Sequence, residues 1–324
     1  MVCIFVSRDT FPDVLYKKLS EVGTVKAYRY GKPAWLTAGI PKEELKKAAA
    51  ECDAMVVFVG DIVDAEVLSH AKNLKIISTV SVGYDHIDVA EARRRGIVVA
   101  NTPEVLVDAT ADLAVGLLLA LARRIVEGDR LIREGKAYDV WGALIGSDIK
   151  DKRAGIIGLG NLGVAIARRL LAFGAEVVYW SRNRKPQVEF ALGIKYLPLD
   201  ELLATSDFVI VSIALTPETR HLMNWEKFSK MKRGAYFVNV ARGAVVDTEA
   251  LLKALKEGIL AGAALDVYEV EPLPHTHELT KLPNVVLTPH IGSAAMETRI
   301  KMAEIAAENV VRFFRGQRPL YVVE

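Results

Sequence analysis

Along the chain, short apolar runs rich in β-branched residues alternate with longer segments whose apolar positions recur at helical spacing. Runs at residues 2–6, 54–59, 75–79 and 97–100 predict buried strands, with helical patterns such as 41–51 and 65–70 between them. A second series follows at 154–157, 176–180, 208–213, 235–240, 261–267 and 285–288. Continuously apolar strands separated by amphipathic helices belong to parallel sheets covered on both faces. The predicted class is therefore α/β with two sheets.

Between the two series, residues 109–124 form an almost wholly apolar helical pattern that Asp108 is placed to cap. So apolar a helix must be buried, and it is expected to act as a crosspiece between two domains. A second long helix is predicted over residues 293–315, apolar at Met302, Ile305, Ala306, Val310 and Phe313, with Gly316 just beyond it. It is expected to carry the chain back to the first domain. The expected domains are residues 1–100 plus 289–324, and residues 101–288. No internal repeat or low-complexity tract interrupts them.

With 324 residues, 51% of them hydrophobic, the chain is long enough for two cores. Forty-two Lys and Arg against forty Asp and Glu leave a formal charge of +2, so no broad basic field exists to attract nucleic acid or an anionic membrane. The longest apolar stretch, residues 113–122, is too short to cross a bilayer, and no secretory leader is expected at the N-terminus. Cys3 and Cys52 alone suggest neither a disulfide framework nor a thiolate metal site, so a reducing, cytoplasmic setting is expected. Gln187 and Gln317 are the only glutamines, a bias seen in heat-adapted proteins.

Chemistry enters with Gly158-Leu159-Gly160-Asn161-Leu162-Gly163, which lies between the strand at 154–157 and a helical pattern at 162–173. One glycine makes the turn, one lets the backbone approach a pyrophosphate, and one lets the helix pack on the strand. Helix amides then face the phosphates, so a dinucleotide site is expected. The next strand runs into Ser181-Arg182-Asn183-Arg184-Lys185, which offers no carboxylate for a ribose hydroxyl. Ser181 and Arg182 suit a 2′-phosphate, with Arg184 or Lys185 in reserve, so NADP(H) is preferred and NAD(H) remains possible.

Several further motifs occur in one order: Val82-Gly83-Tyr84-Asp85, Asn101-Thr102-Pro103, Ala109-Thr110-Ala111-Asp112, Asn239-Val240-Ala241-Arg242-Gly243, Ala264-Leu265-Asp266-Val267, Glu269-Val270-Glu271-Pro272 and Thr288-Pro289-His290-Ile291-Gly292. Together with the glycine loop they resemble the D-isomer-specific 2-hydroxyacid dehydrogenases. Within that family the chain is most similar to the glyoxylate and hydroxypyruvate reductases. The resemblance implies two Rossmann-like domains, a flavodoxin-like substrate domain and an NAD(P)-binding domain, with a cleft between them. It also implies a homodimer built on the cofactor domain through residues 108–149.

Hydride transfer to a small 2-oxo acid needs a cation for the carboxylate, an acid for the developing alkoxide, and a carboxylate that keeps the acid charged. Arg242, His290 and Glu271 supply these three. Glu271 is preferred to Glu269 because the resemblance puts the catalytic carboxylate immediately before the proline. The resemblance further implies that Val82 and Gly83 receive the substrate carboxylate. Thr110 and Asp266 would meet the nicotinamide end, and Thr216 and Pro217 the adenine side. Val240, Ala241, His290 and Gly292 complete the expected cofactor contacts. Tyr84 and Trp141 either line the pocket or pack in a core. His275 and His277 with Glu278 look like a metal cluster but lack a further ligand, and no metal is expected. His86 is expected to close a turn.

Two rivals remain. Formate, phosphite, D-lactate or phosphoglycerate dehydrogenases would share most motifs, although Val82 stands where a phosphite enzyme would need a lysine, and no regulatory domain of the phosphoglycerate type is expected. A dinucleotide-sensing corepressor could also keep the triad, but the long disordered extensions of a recruitment module are not expected here.

Overall fold

The computed structural model describes residues 1–29, 39–139 and 141–323. It separates into two compact units, residues 1–106 with 293–324, and residues 107–292. In the first unit, strands β1 (Cys3–Val6), β2 (Thr24–Ala27), β3 (Ala54–Val57), β4 (Ile76–Thr79) and β5 (Val98–Ala100) form a sheet in the order β2-β1-β3-β4-β5. Every pairing is parallel, and the order is that of flavodoxin-like sheets. The Met296–Phe314 helix packs on β3, β4 and the Asp13–Leu19 helix, burying Met302, Ala303, Ala306 and Val310. Gly316, at φ 73°, follows its end.

The second unit carries β6 (Arg153–Ile157), β7 (Glu176–Trp180), β8 (Lys195–Tyr196), β9 (Phe208–Val211), β10 (Ala235–Asn239), β11 (Leu260–Leu265) and β12 (Val285–Leu287). Their order is β12-β11-β10-β9-β6-β7-β8, all parallel, so the chain reverses direction across the sheet between β6 and β9. Ligands of such sheets bind at the carboxyl ends of the strands beside that reversal. The α/β expectation with two parallel sheets holds. β2 and β8 escaped the sequence reading because they are edge strands with exposed positions, lacking the continuous apolar run of β3, β4 and β9.

The apolar helix spans Val107–Ala122 and is buried in the second unit, against the Asn161–Ala172 helix and β10, β11 and β12. Asp108 does not cap it. The helix begins at Val107, which puts Asp108 in the first turn, where its carboxylate pairs with Arg169 at 3.1 Å. The expectation for the cysteines also fails: Cys3 and Cys52 form a disulfide. Parallel pairing of Ile4 with Ala54 brings the starts of β1 and β3 together, leaving the two Cα atoms 4.6 Å apart. No helix among the described residues is long and apolar enough to cross a membrane.

Candidate active site

β10, β11 and β12 are neighbours and parallel, so their carboxyl ends share one edge of the second sheet. Three turns leave that edge, and each carries one member of the Arg242, Glu271 and His290 set. The first turn is shaped by Asn239, which is buried. Its Oδ1 accepts from Ala241 N and its Nδ2 donates to Arg242 O, both at 3.0 Å, an arrangement that bends the chain sharply after the strand. Val240 and Ala241 are buried within the bend, and Arg242 donates through Nη1 to Ala241 O at 2.9 Å. Gly243 has no substitute here, since a Cβ would lie 1.8 Å from the carbonyl carbon of Tyr268. The first and second turns thus touch backbone to backbone.

In the second turn Tyr268 sets its hydroxyl between the carbonyls of Leu265 and Thr288, at 3.1 and 2.9 Å. Burial pushes the Tyr268 pKa up, which keeps the hydroxyl a donor. Tyr268 N donates to Glu271 Oε1 at 3.0 Å, aiming the other oxygen at His290. His290 Nδ1 stands 2.7 Å from Glu271 Oε2. A carboxylate can only accept, so Nδ1 carries the proton and Nε2 is left for chemistry. Both side chains keep about a fifth of their surface exposed, 22% and 20%, so the pair remains reachable by a small molecule.

The third turn depends on Asp266, which is only 2% exposed. Its Oδ1 accepts from Thr288 Oγ1 at 2.7 Å and Ile291 N at 2.8 Å, and its Oδ2 accepts from Gly292 N at 2.8 Å. Burial raises the Asp266 pKa against these bonds. His290 sits at φ 54°, a conformation uncommon for a non-glycine residue, and the Asp266 bonds on either side hold it there. Thr110 closes the group: a Cβ on Gly292 would fall 3.2 Å from both Thr110 Cγ2 and Asp266 Oδ2.

The glycine loop follows β6 at the reversal point. Gly158 takes φ 101°, and a Cβ on Gly163 would lie 2.0 Å from Gly158 O, so both must be glycine. At Gly160 a Cβ would meet only open space, and the Asn161–Ala172 helix starts there with no side-chain cap. Its first amides, with Leu159, Asn161 and Leu162 around them, make a cradle suited to phosphate.

Beyond β7 the Ser181 hydroxyl donates to Asn183 O at 2.6 Å, and Arg182 is exposed. Arg184 is engaged elsewhere. It grips Glu189 through Nε at 2.8 Å and Nη2 at 2.8 Å, and lies 5.9 Å from the Tyr196 ring centroid. Tyr179 OH donates to Glu189 Oε1 and accepts from Lys185 N, both at 2.7 Å. These partners, Arg184 first, hold the Glu189 carboxyl down to about 2. Thr216 Oγ1 donates to Glu218 at 2.7 Å ahead of Pro217, and the charge of Arg182 helps lower the Glu218 pKa.

In the first unit, Val82 and Gly83 follow β4. Asn101 Nδ2 donates to Val82 O at 2.8 Å and Ser81 Oγ to Gly83 O at 2.7 Å, tying back both carbonyls. His86 Nε2 lies 3.0 Å from Thr79 Oγ1 within the same segment. Tyr84 is 42% and Trp141 92% exposed, so neither is core. His277 accepts from Leu279 N as a helix cap, and among the described residues no group of three or more His, Cys, Asp or Glu could hold a metal. Two supporting residues, Tyr268 and Glu189, escaped the sequence reading, and a third, Asn239, stands in one of its motifs without a role. Only Asn239 had a local signal, an asparagine opening a turn; the other two act through folded-state neighbours.

A family model for the D-isomer specific 2-hydroxyacid dehydrogenase NAD binding domain matches residues 115–292. The chain belongs to the D-isomer specific 2-hydroxyacid dehydrogenases. Among its relatives, the glyoxylate reductase of Pyrococcus horikoshii is 48% identical over 321 residues, 98% of this chain and 94% of that protein. The glyoxylate reductase of Thermofilum pendens is 51% identical over 281 residues, 86% and 83% of the two chains. Among solved structures, the TT0316 protein from Thermus thermophilus superimposes with a TM-score of 0.91 at 45% identity, covering both chains fully. An NADPH-dependent glyoxylate/hydroxypyruvate reductase from Sinorhizobium meliloti, in complex with NADP and malonate, gives 0.85 at 31%, covering 99% and 96%.

Proposed function

We propose that this dehydrogenase reduces a small 2-oxo acid, glyoxylate or hydroxypyruvate, with NADPH preferred over NADH. The observation that carries the chemistry is the 2.7 Å pair of His290 and Glu271 on turns adjoining the one that presents Arg242. Names of the relatives supply the substrate class. A nicotinamide dinucleotide, when bound, supplies the hydride. The Gly160 cradle with its free helix amides fits a pyrophosphate, and the carboxylate-free turn at Ser181 and Arg182 fits a 2′-phosphate better than a bare ribose. Thr110, Asp266 and Gly292 form the expected nicotinamide-side group. Asp266 retains one acceptor position beyond its three bonds.

The residues then divide the work. Arg242 holds the substrate carboxylate and polarises the carbonyl with its fork. As an imidazolium, protonated on both nitrogens, His290 delivers its Nε2 proton to the oxygen that gains charge and is left as the neutral ring, its Nδ1 proton still donated to Glu271, which holds the orientation. In the first unit, the turn at Val82 and Gly83 is assigned to carboxylate binding, its carbonyls being tied away. The apolar residues exposed on the second unit at Ile125, Ile132, Trp141 and Ile145, with no buried residue in the Ile125–Arg133 helix, support a homodimer through this region. Turnover of a panel of 2-oxo acids with NADPH and NADH tests the proposal. The highest kcat/KM is expected for glyoxylate or hydroxypyruvate with NADPH; a preference for NADH, or for a larger acid, would overturn it.

A further inference from the structure

The turns that present Arg242 and Glu271 come from different strands, yet the chemistry proposed above needs them in fixed relation. Packing alone leaves room behind them. A cavity of about 200 Å³ lies there, lined by Gly243, Val246, Tyr268, Glu269 and Leu273 among others. One residue outside the triad touches both turns. His221, at φ 50°, donates its backbone N–H to Ala244 O at 2.9 Å, just after Arg242. Met223 N to Val245 O and Asp247 N to Met223 O, each at 3.0 Å, continue this pairing. The His221 ring reaches the other way, with Nε2 standing 2.6 Å from Glu269 Oε1. Glu269 Oε2 accepts from Thr248 N at 2.9 Å, and Tyr268 beside it aims Glu271.

We infer that His221 and Glu269 are positioning residues, a brace that locks the Arg242 turn to the Glu271 turn and so sets the distance between guanidinium and imidazole. The inference rests on the catalytic roles proposed above for Arg242, Glu271 and His290. Neither brace residue is assigned to the substrate or the cofactor. A partly exposed pair of this kind adds little to global stability, so its loss is expected to appear in turnover before it appears in melting. The left-handed backbone of His221 supports the same role, because it is held where side chain and main chain serve different turns.

Steady-state kinetics with glyoxylate and NADPH, beside melting curves, test the brace. His221→Ala and Glu269→Gln are each expected to lower kcat about tenfold, with KM for NADPH changed less than about twofold. His221→Gln, whose side-chain amide can still donate to Glu269, recovers most of the loss. His221→Ala/Glu269→Gln loses no more than either single change, because both cut one interaction. Parent-like kcat in both singles, losses that multiply in the double, or an effect confined to KM for NADPH would each overturn the brace. Glu271→Gln in the same assay separates the two levels. If it falls while His221→Ala does not, the brace alone is wrong; if Glu271→Gln keeps parent turnover, the catalytic assignment and the brace fall together. Should His221→Ala not fold, a loss in Glu269→Gln with none in His221→Gln is required, and its absence overturns the brace.

Discussion

Two carboxylates of the second unit each hold a nitrogen-bearing side chain, and they have opposite effects on what it can do. Glu271 takes Nδ1 of His290 rather than Nε2, and both side chains keep about a fifth of their surface exposed. Glu189 takes the Nε–Nη2 edge of the Arg184 guanidinium, at 2.8 Å for each nitrogen, and so engages it within its own turn and helix. The first pair is built across β11 and β12 from residues distant in sequence, with backbone bonds to Asp266 and Tyr268 fixing each partner. The second pair is local, reached around one turn and a short helix. A motif identifies a residue type; the partner decides whether that residue is available to a ligand.

Removing the cation of the first region breaks the comparison hardest. Arg242→Ala is expected to lower kcat/KM for glyoxylate by about a thousandfold while dinucleotide binding, measured by fluorescence titration, stays within about threefold. Equal activity in variant and parent would take Arg242 out of the mechanism. The second region gives a smaller effect and a sharper contrast. Arg182→Ala is expected to reduce the NADPH-over-NADH ratio of kcat/KM by about tenfold, the scale of one charge-assisted phosphate contact, whereas Arg184→Ala changes it by less than about threefold. The reverse ranking would show that Arg184 leaves Glu189 to bind the phosphate.

The smallest effect concerns stability. The Glu189 carboxyl falls from its ordinary 4.5 to about 2, so its contribution is complete above about pH 5 and disappears as the pH falls through that window. The difference in melting temperature between parent and Glu189→Gln should be constant near neutrality and close as the pH approaches 2. A gap that widens on acidification would show that the pair does not stabilise the turn.

The same contrast explains what was legible in the sequence. Glycines at 158 and 163, Arg242, Asp266 and His290 occupy positions where backbone geometry or chemistry admits few alternatives, so the residue types point to the site. Strands buried on both faces, such as β3 and β9, announce themselves as apolar runs. β2 and β8 do not, because an edge strand is covered incompletely and its residues look like loop. Asp108 was misplaced because a carboxylate suits both a cap and an ion pair, and only the fold brings Arg169 within reach. The Cys3–Cys52 bond has the same origin: β1 and β3 become neighbours only through the crossover of the sheet. Glu189 and the His221–Glu269 brace were illegible for this reason too, each being defined by its partner.

The most direct test is the rate of NADPH oxidation by glyoxylate in single turnover, with both ligands saturating, for the parent and for His290→Ala. With His290 as the proton donor, the parent turns over rapidly and the variant is slower by at least about a hundredfold, with the NADPH complex still formed. A variant that reduces glyoxylate at the parent rate, or a parent that oxidises no NADPH in its presence, would contradict the assignment.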